Sequence, residues 1–335
     1  MSSKMTYHAR ILILVAMIFF AATLQADAQK NYEFNRRLDS ILSVRYTNAN
    51  IDTNYIVRPK TKWTLMGRAK MTGTRIESEG YREGEHFLTE MTADRKVTLS
   101  AAVSYLGMSA CLAINPAKLL GRYHDYELNL RSYGKRFGFD FSYQDAGNFK
   151  GWYKTNGEKH DVTTSSDMFK LRTLYLNAYY IFNNRRFSYP AAFAHSYIQR
   201  RSTGSFLLAA SGQGQHGKLN SDKMTMDFKM TNIGIGAGYG YNYVPVEGWL
   251  LHLSSLPTFI VYSNTSLTVD DTNVPLRYHF PEVIITARGS IVKQIGSNRF
   301  AGLSMVYNFT NIGNEESLAI HNMRWLVRTF FGVRL

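Results

Sequence analysis

The pair with the spacing of a nucleophile and its base is His252 and Ser254, one residue apart, which sets both side chains on one face of an extended strand. An imidazole that takes the proton of a neighbouring hydroxyl is the starting point of acyl transfer. The ordinary reading of the same pair is a histidine and a serine lining a polar interior. His195 and Ser196 are adjacent, so on a strand they would face opposite sides. The other histidines are dispersed and Cys111 is the single cysteine. No set of residues has the spacing of metal ligands, and neither metal nor cofactor is expected.

Residues 231–243 indicate what kind of element would carry such a pair. Ile233, Ile235, Ala237, Tyr239, Tyr241 and Tyr243 alternate with Asn232, Gly234, Gly236, Gly238, Gly240 and Asn242. One face is apolar and ends in tyrosines, as where a strand leaves hydrocarbon for headgroups; the other is small and polar, as in a barrel lumen. Glycine at every second position is a strand face, whereas a phosphate cradle needs a turn opening into a helix. A strand of a soluble β-sandwich also alternates, and the N-terminus decides between the two. Lys4 and Arg10 precede an apolar stretch over 11–24, and Ala26-Asp27-Ala28 follows as an Ala-x-Ala site. Residues 1–28 therefore read as a secretory signal peptide. One cysteine makes no intrachain disulfide, so packing and backbone pairing must stabilise the exported chain.

The formal net charge is +14, and removal of Lys4, Arg10 and Asp27 with the signal leaves +13. The basic residues are scattered along alternating strands rather than clustered beside a recognition motif, which argues against nucleic acid. Export makes outer-membrane lipid and lipopolysaccharide, with anionic solutes, the expected partners.

In chain order, residues 29–62 read as a periplasmic N-terminal segment and 63–335 as a transmembrane β-barrel. The apolar phase changes at Gly107, read as a bulge in one long strand with a hairpin as the alternative. Asp94-Arg95 reads as a short turn. Three hairpins keep apolar residues on matching faces: a turn at Gly134-Lys135 pairing Tyr133 with Arg136, one at 244–248 setting Tyr243 opposite Trp249, and one at 296–298 setting Ile291 opposite Leu303. Polar segments 146–167, 212–227 and 263–279 read as long extracellular loops, and 187–193 as part of a short periplasmic turn. The expected fold is an all-β, antiparallel outer-membrane β-barrel of about twelve strands, ten being the alternative, monomeric and with both termini periplasmic. The ending Phe331-Gly332-Val333-Arg334-Leu335 resembles the C-terminal signal read by the barrel-assembly machinery; that signal usually finishes on an aromatic residue, from which Leu335 departs.

With apolar faces outward, Arg68, Lys70, Glu127, Arg131, Arg136, Asp140, Glu282, Arg288, Arg324, Arg328 and Arg334 point into the lumen. These charges either pin the strands and fill a narrow barrel or line a pore that prefers anions.

Asp52-Thr53-Asn54-Tyr55 with Pro59 and Trp63, Phe187-Ser188-Tyr189-Pro190-Ala191-Ala192-Phe193, Gln199 with Ser202, Gly204 and Ser205, and Gly238-Tyr239-Gly240-Tyr241-Asn242-Tyr243 carry a resemblance. Together they resemble an uncharacterised family of Bacteroidota outer-membrane proteins, family 4421 of the domains of unknown function. The resemblance implies an outer-membrane barrel and brings no catalytic residue with it. His252-x-Ser254 is similar to the His-x-Ser of the outer-membrane phospholipase in those two residues alone. Three functions follow from the sequence: a narrow channel or solute-interaction barrel with a basic lumen, a lipid-modifying hydrolase, and a non-conducting structural or surface-interaction barrel.

Overall fold

The computed structural model of the chain describes residues 50–335 except 83, 106–107, 117–125, 156, 165–167, 222–223, 275–280 and 315–317, together with Arg36 and Ser40. Residues 1–28, expected to be a signal peptide, and most of the segment after them lie outside the described residues. Among the described residues, the compact unit that begins at Ile51 contains the strands below and the short helix at Tyr189–Phe193. Its strands are β1 (Ile56–Val57), β2 (Trp63–Arg82), β3 (Glu85–Ala93), β4 (Lys96–Tyr105), β5 (Met108–Ile114) and β6 (Tyr126–Tyr133). There follow β7 (Phe137–Ala146), β8 (Phe149–Thr155), β9 (Glu158–Thr163) and β10 (Phe169–Ile181), then the helix α1 (Tyr189–Phe193) and β11 (Ile198–Gln199). The remainder are β12 (Thr203–Ser221), β13 (Met224–Tyr243), β14 (Trp249–Val269), β15 (Thr272–Val274), β16 (Val283–Ile295), β17 (Arg299–Asn314) and β18 (Leu318–Arg334).

Neighbours along the wall run β6-β7-β10-β12-β13-β14-β16-β17-β18-β2, all antiparallel. The last strand pairs with the first wall strand, Arg334 opposite Thr64, and the Leu335 amide donates to the Trp63 carbonyl at 2.9 Å. Strand β2 then carries β4 beside its first half and β3 beside its second. Beside β2 the partner sums shift by one between Arg75↔Thr92 and Thr72↔Lys96, so Asp94-Arg95 is a bulge in one continuing run rather than the expected turn. Strand β3 pairs with β8, which continues β7 across 147–148, and the sheet thus curls back on itself as an outer-membrane β-barrel.

We call the end holding Trp63 and Leu335 proximal and the other distal. Near residue 94 the wall forks: β3 and β8 stay paired distally, while β4 takes β5 and β7 takes β6 proximally. Around the proximal half the wall therefore has twelve strands among the described residues. Strands β4 and β5 pair antiparallel with Tyr105 opposite Met108, so they form a hairpin and not one bulged strand. Both arms turn their apolar residues outward, Leu99 beside Ile114, which is why the apolar phase changes across the reversal.

The outer surface is apolar in the proximal half. Phe206, Leu208, Ile233, Ile235, Tyr239, Tyr241, Tyr243, Leu251 and Leu253 are exposed, while the residues between them face inward. A spanning strand needs about 9–11 residues, yet β13 has 20 and β14 has 21. The surplus lies distally, where Lys218, Lys229 and Asp227 face outward and form ion pairs. The segments expected to be loops at 146–167, 212–227 and 263–279 are thus largely strand. Beyond the hydrocarbon the outer face meets water, so the outward apolar set ends while the backbone ladder continues. Register also differs from expectation at two hairpins: Tyr133 faces Gly138 and Tyr243 faces Leu251, each shifted by two, which preserves the faces. Ile291 faces Leu303 as expected.

The glycine face of β13 permits close approach of β14. A Cβ on Gly238 would lie 2.1 Å from the Ser255 carbonyl oxygen and 2.9 Å from Leu256 Cα, both backbone atoms that cannot give way. Gly67 has nothing within 4 Å. We expect Gly238→Val to cost about 1–3 kcal/mol through overpacking and to weaken the heat-shifted folded band on mild detergent gels, with Gly67→Val leaving it intact. Equal behaviour of the two variants would contradict this packing.

Candidate functional site

The segment joining β10 to β12 does not stay at the rim as a short turn. Ser188 caps α1 by accepting the Ala191 amide at 3.1 Å, and Pro190, which needs no donor at a helix start, follows it. This fixes a single helical turn whose five residues are all buried. Phe187, Tyr189, Ala191, Ala192 and Phe193 pack with Ile181, Leu207, Leu250, Leu256, Val292, Phe300 and Phe330 from the inner wall. The proximal lumen is therefore filled by an apolar core like that of a soluble protein, and the residues read as a turn form its plug.

His252 and Ser254 lie under this plug and are in contact. The Asn242 side-chain amide donates to the Ser188 carbonyl at 3.1 Å and to Gln199 Oε1 at 2.9 Å, which leaves its oxygen facing His252 Nδ1 at 2.7 Å. That imidazole nitrogen must then carry the proton, and Nε2 is the acceptor for the Ser254 hydroxyl at 3.0 Å. The Tyr189 hydroxyl donates to Ser254 Oγ at 2.8 Å. Asn242, His252 and Ser254 thus form the hydrogen-bond order of a nucleophile, base and orienting group. They are also a latch, because each end of the relay holds the plug. Ser254 is 2% exposed, its oxygen is occupied by the phenol, and the rings of Phe187, Tyr189 and Phe193 stand 5.0–5.8 Å from the imidazole. Two further bonds hold the plug to the wall: Ser290 donates to the Ala192 carbonyl at 2.8 Å and Arg334 to the His195 carbonyl at 3.2 Å.

Above the plug the lumen is crossed by charged and polar side chains. Arg288, on β16, pairs with Asp140 on β7 and lies 5.1 Å over the Tyr179 ring. Arg131 approaches Asp140 at 3.5 Å. Glu127 on β6 receives Lys70 and Arg324, each at 3.2 Å, and the Thr72 hydroxyl at the same distance. Arg324 also donates to Ser142. Tyr175 meets Thr310 at 2.6 Å and Asn177 meets Thr286 at 3.1 Å, both across the barrel. What remains among Arg131, Asp140, Asn177, Arg288 and Arg324 is a cavity of about 30 Å³, room for about one water. Distally, Phe228, Met230, Ile260, Leu267, Ile284, Ile312 and Leu318 form a second buried apolar cluster.

The remaining charged residues expected in the lumen differ in their burial and partners. Glu282 is buried and accepts the Gly313 amide at 2.9 Å. Arg334 is buried and donates to Gln294 at 2.7 Å, and the Arg68 guanidinium lies against Met66 sulfur. Arg328 is half-buried on the inner side of β18. Arg136 is exposed in the turn between β6 and β7, because that turn is longer than the two residues expected. Asn242 and Tyr189 were not anticipated as site residues, although the first stands on the polar face of β13 and the second lies inside a Ser-x-Pro helix start.

At its proximal end the plug is clamped by the chain leading into the barrel. Strand β1 pairs with β11, and the Arg200 amide donates to the Tyr55 carbonyl at 2.7 Å. Arg186 donates to Asp52 Oδ2 at 3.0 Å and stacks 5.0 Å over the Tyr55 ring. Desolvation would raise the Asp52 carboxyl. Hydrogen bonds from the Asn54 backbone and from Arg186 outweigh it and hold the group below the usual carboxylate range.

Residues 50–335 match a family described as a domain of unknown function, DUF4421. The chain belongs to that family. No curated protein matches this DUF4421 chain. Among solved structures it is similar to the outer membrane protease OmpT from Escherichia coli, at 8% identity and a TM-score of 0.41, covering 83% of this chain and 97% of that one. The β domain of the Bordetella autotransporter BrkA follows, at 8% identity and 0.34, covering 80% and 99%. OprG from Pseudomonas aeruginosa stands at 10% and 0.26, covering 83% and 99%. Likeness at this level transfers no chemistry. No helix among the described residues is long and apolar enough to cross a membrane, which is silent on crossing by strands.

Two outcomes follow from the geometry. Asp140→Ala leaves the fully buried Arg288 without its partner and should cost about 3–5 kcal/mol, read as a lower unfolding midpoint in urea. The double variant Asp140→Leu/Arg288→Leu should recover much of that loss, and a double variant as unstable as the single would disprove the pairing energetics. For Asp52, a lowered pKa means the clamp is complete above the ordinary aspartate range and is lost as pH falls through and below it. Limited proteolysis near residue 52 should therefore accelerate below about pH 4, and Asp52→Ala should show the faster rate already at neutral pH.

Proposed function

We propose that this protein is a sealed outer-membrane barrel, exported to the envelope with its termini in the periplasm, that works as a structural and interaction protein rather than as an open pore. The observation that carries this reading is the plug. Helix α1 is seated in the lumen and bonded to three wall strands, through Ser254, Ser290 and the Asn242 amide. The basic lumen expected of an anion pore does not favour conduction, because its arginines are engaged across the barrel by Asp140 and Glu127. A lipid hydrolase would need an ester carbonyl beside Ser254 Oγ, where the Tyr189 phenol sits instead.

The apolar proximal belt supports a lipid and lipopolysaccharide environment, and its tyrosines would sit at the headgroups. The strands run well beyond the apolar belt at the end opposite Trp63 and Leu335, the asymmetry of barrels whose termini are periplasmic. In this reading β18, paired along its length to β2, is the strand handed to the barrel-assembly machinery, and the barrel is a monomer.

Purified protein, shown folded by its heat shift, should remain silent in a planar bilayer under a salt gradient, and should release no more fatty acid from vesicles than Ser254→Ala. Steady anion-selective openings would sink the sealed reading. Turnover that disappears in Ser254→Ala would replace it with a hydrolase.

A further inference from the structure

The ionic surface of the barrel differs between its two ends. Distally, several exposed charges are paired with their neighbours: Arg75 with Glu77 and Glu90, Lys170 and Arg172 with Asp145, Lys218 and Lys229 with Asp227. Over the proximal mouth Arg58 comes from the lead-in, Lys135 and Arg136 from the β6–β7 turn, and Arg185, Arg200 and Arg201 from the plug segment. The acids beside them in the chain are Asp52, already held by Arg186, and Glu247. Arg136, Arg185, Arg200 and Arg201 are exposed and have no carboxylate within salt-bridge distance among the described residues.

Three strands of evidence make these residues one surface. Partial burial and then the guanidinium groups of Arg136, Arg58 and Arg185 push the Lys135 ammonium below the usual lysine range, so four cations from three separate segments crowd together. The clamp between β1 and β11 holds Arg58 and Arg200 at the two ends of one small sheet. Backbone hydrogen bonds also tie the three segments together: the Ile181 amide donates to the Arg136 carbonyl at 2.7 Å and the Asp52 amide to the Arg185 carbonyl at 2.8 Å.

The chemistry of the surface selects its occupant. Like charges held close cost free energy unless an anion enters, and guanidinium groups recognise carboxylates through paired hydrogen bonds. Among the described residues of 51–62 and 183–202, no large hydrophobic side chain is exposed. A protein interface would need such an anchor. An extended polymer with repeated carboxylates needs only the cations.

We propose that the proximal mouth is a docking surface for a carboxylate-bearing polymer of the periplasm, the peptide-substituted glycan mesh of the cell wall, and that the barrel ties the outer membrane to it. This deepens the sealed-barrel reading and rests on its assignment of the mouth to the periplasm.

The test is co-sedimentation of the full-length, heat-shift-verified protein with insoluble cell-wall sacculi. The wild type should pellet at low salt and be released at about 0.5 M salt, where the screening length has fallen to about 4 Å. Arg185→Glu/Arg200→Glu/Arg201→Glu should lose most of its retention, while the distal reversal Lys154→Glu/Lys218→Glu should keep it. Sacculi whose carboxylates have been amidated should fail to retain the unaltered protein, an outcome independent of how any variant folds. Retention that survives amidation or the triple reversal would overturn the proposal. So would absence of retention, or binding only to anionic phospholipid vesicles or only to an acidic protein. Failure of this kind with a silent bilayer leaves the sealed barrel standing, whereas conductance with salt-sensitive sacculus binding would remove the seal and keep the surface.

Discussion

Every backbone amide and carbonyl that lies in hydrocarbon must find its partner inside the protein, and this constraint governs the rest of the structure. It forces the wall to return on itself, as β18 does on β2 over seventeen register positions. A ring of this circumference encloses more space than inward-facing side chains of ordinary size can occupy. The interior must then hold either water or protein. Here it holds protein: an apolar helix proximally, ion pairs across the middle, and a second apolar cluster distally.

The same constraint explains why the plug is held by polar groups. An apolar helix in an apolar lumen would be free to rotate or slide, since burial has no direction. The Asn242–His252–Ser254–Tyr189 relay supplies the direction, each member having only one arrangement of donors and acceptors that satisfies its neighbours. A constellation that would carry acyl transfer in an open cleft is here committed to position. The difference lies in access and not in the residues.

Much of the barrel was legible because hydrocarbon writes on the sequence. The tyrosine face of β13 and the pairing of Ile291 with Leu303 both follow from a strand that meets lipid on one side and protein on the other. Where the outer solvent is water that writing fades, so the distal halves of β12, β13 and β14 looked like loops although their ladders continue. The two hairpin registers missed by two residues kept their faces, since the period of two constrains parity and not loop length. The plug was hidden for a different reason. Seven residues of mixed aromatic and small character between two strands have no period to reveal burial, and only the Ser188-to-Pro190 helix start marked them. His252 and Ser254 were visible as a pair, but the partners that decide their role, Asn242 and Tyr189, come from 10 and 65 residues away.

The clamp between the lead-in and the plug has a mechanical side. Strand β1 is two residues long and pairs with a β11 of the same length. Tension on the chain before Ile51 would reach this small sheet before it reached α1, and would peel its few hydrogen bonds one after another. The relay beneath, loaded from the same direction, would have several bonds stretched at once. The clamp therefore behaves as a weak link in series with a strong one: a modest pull frees the lead-in and leaves the barrel stoppered.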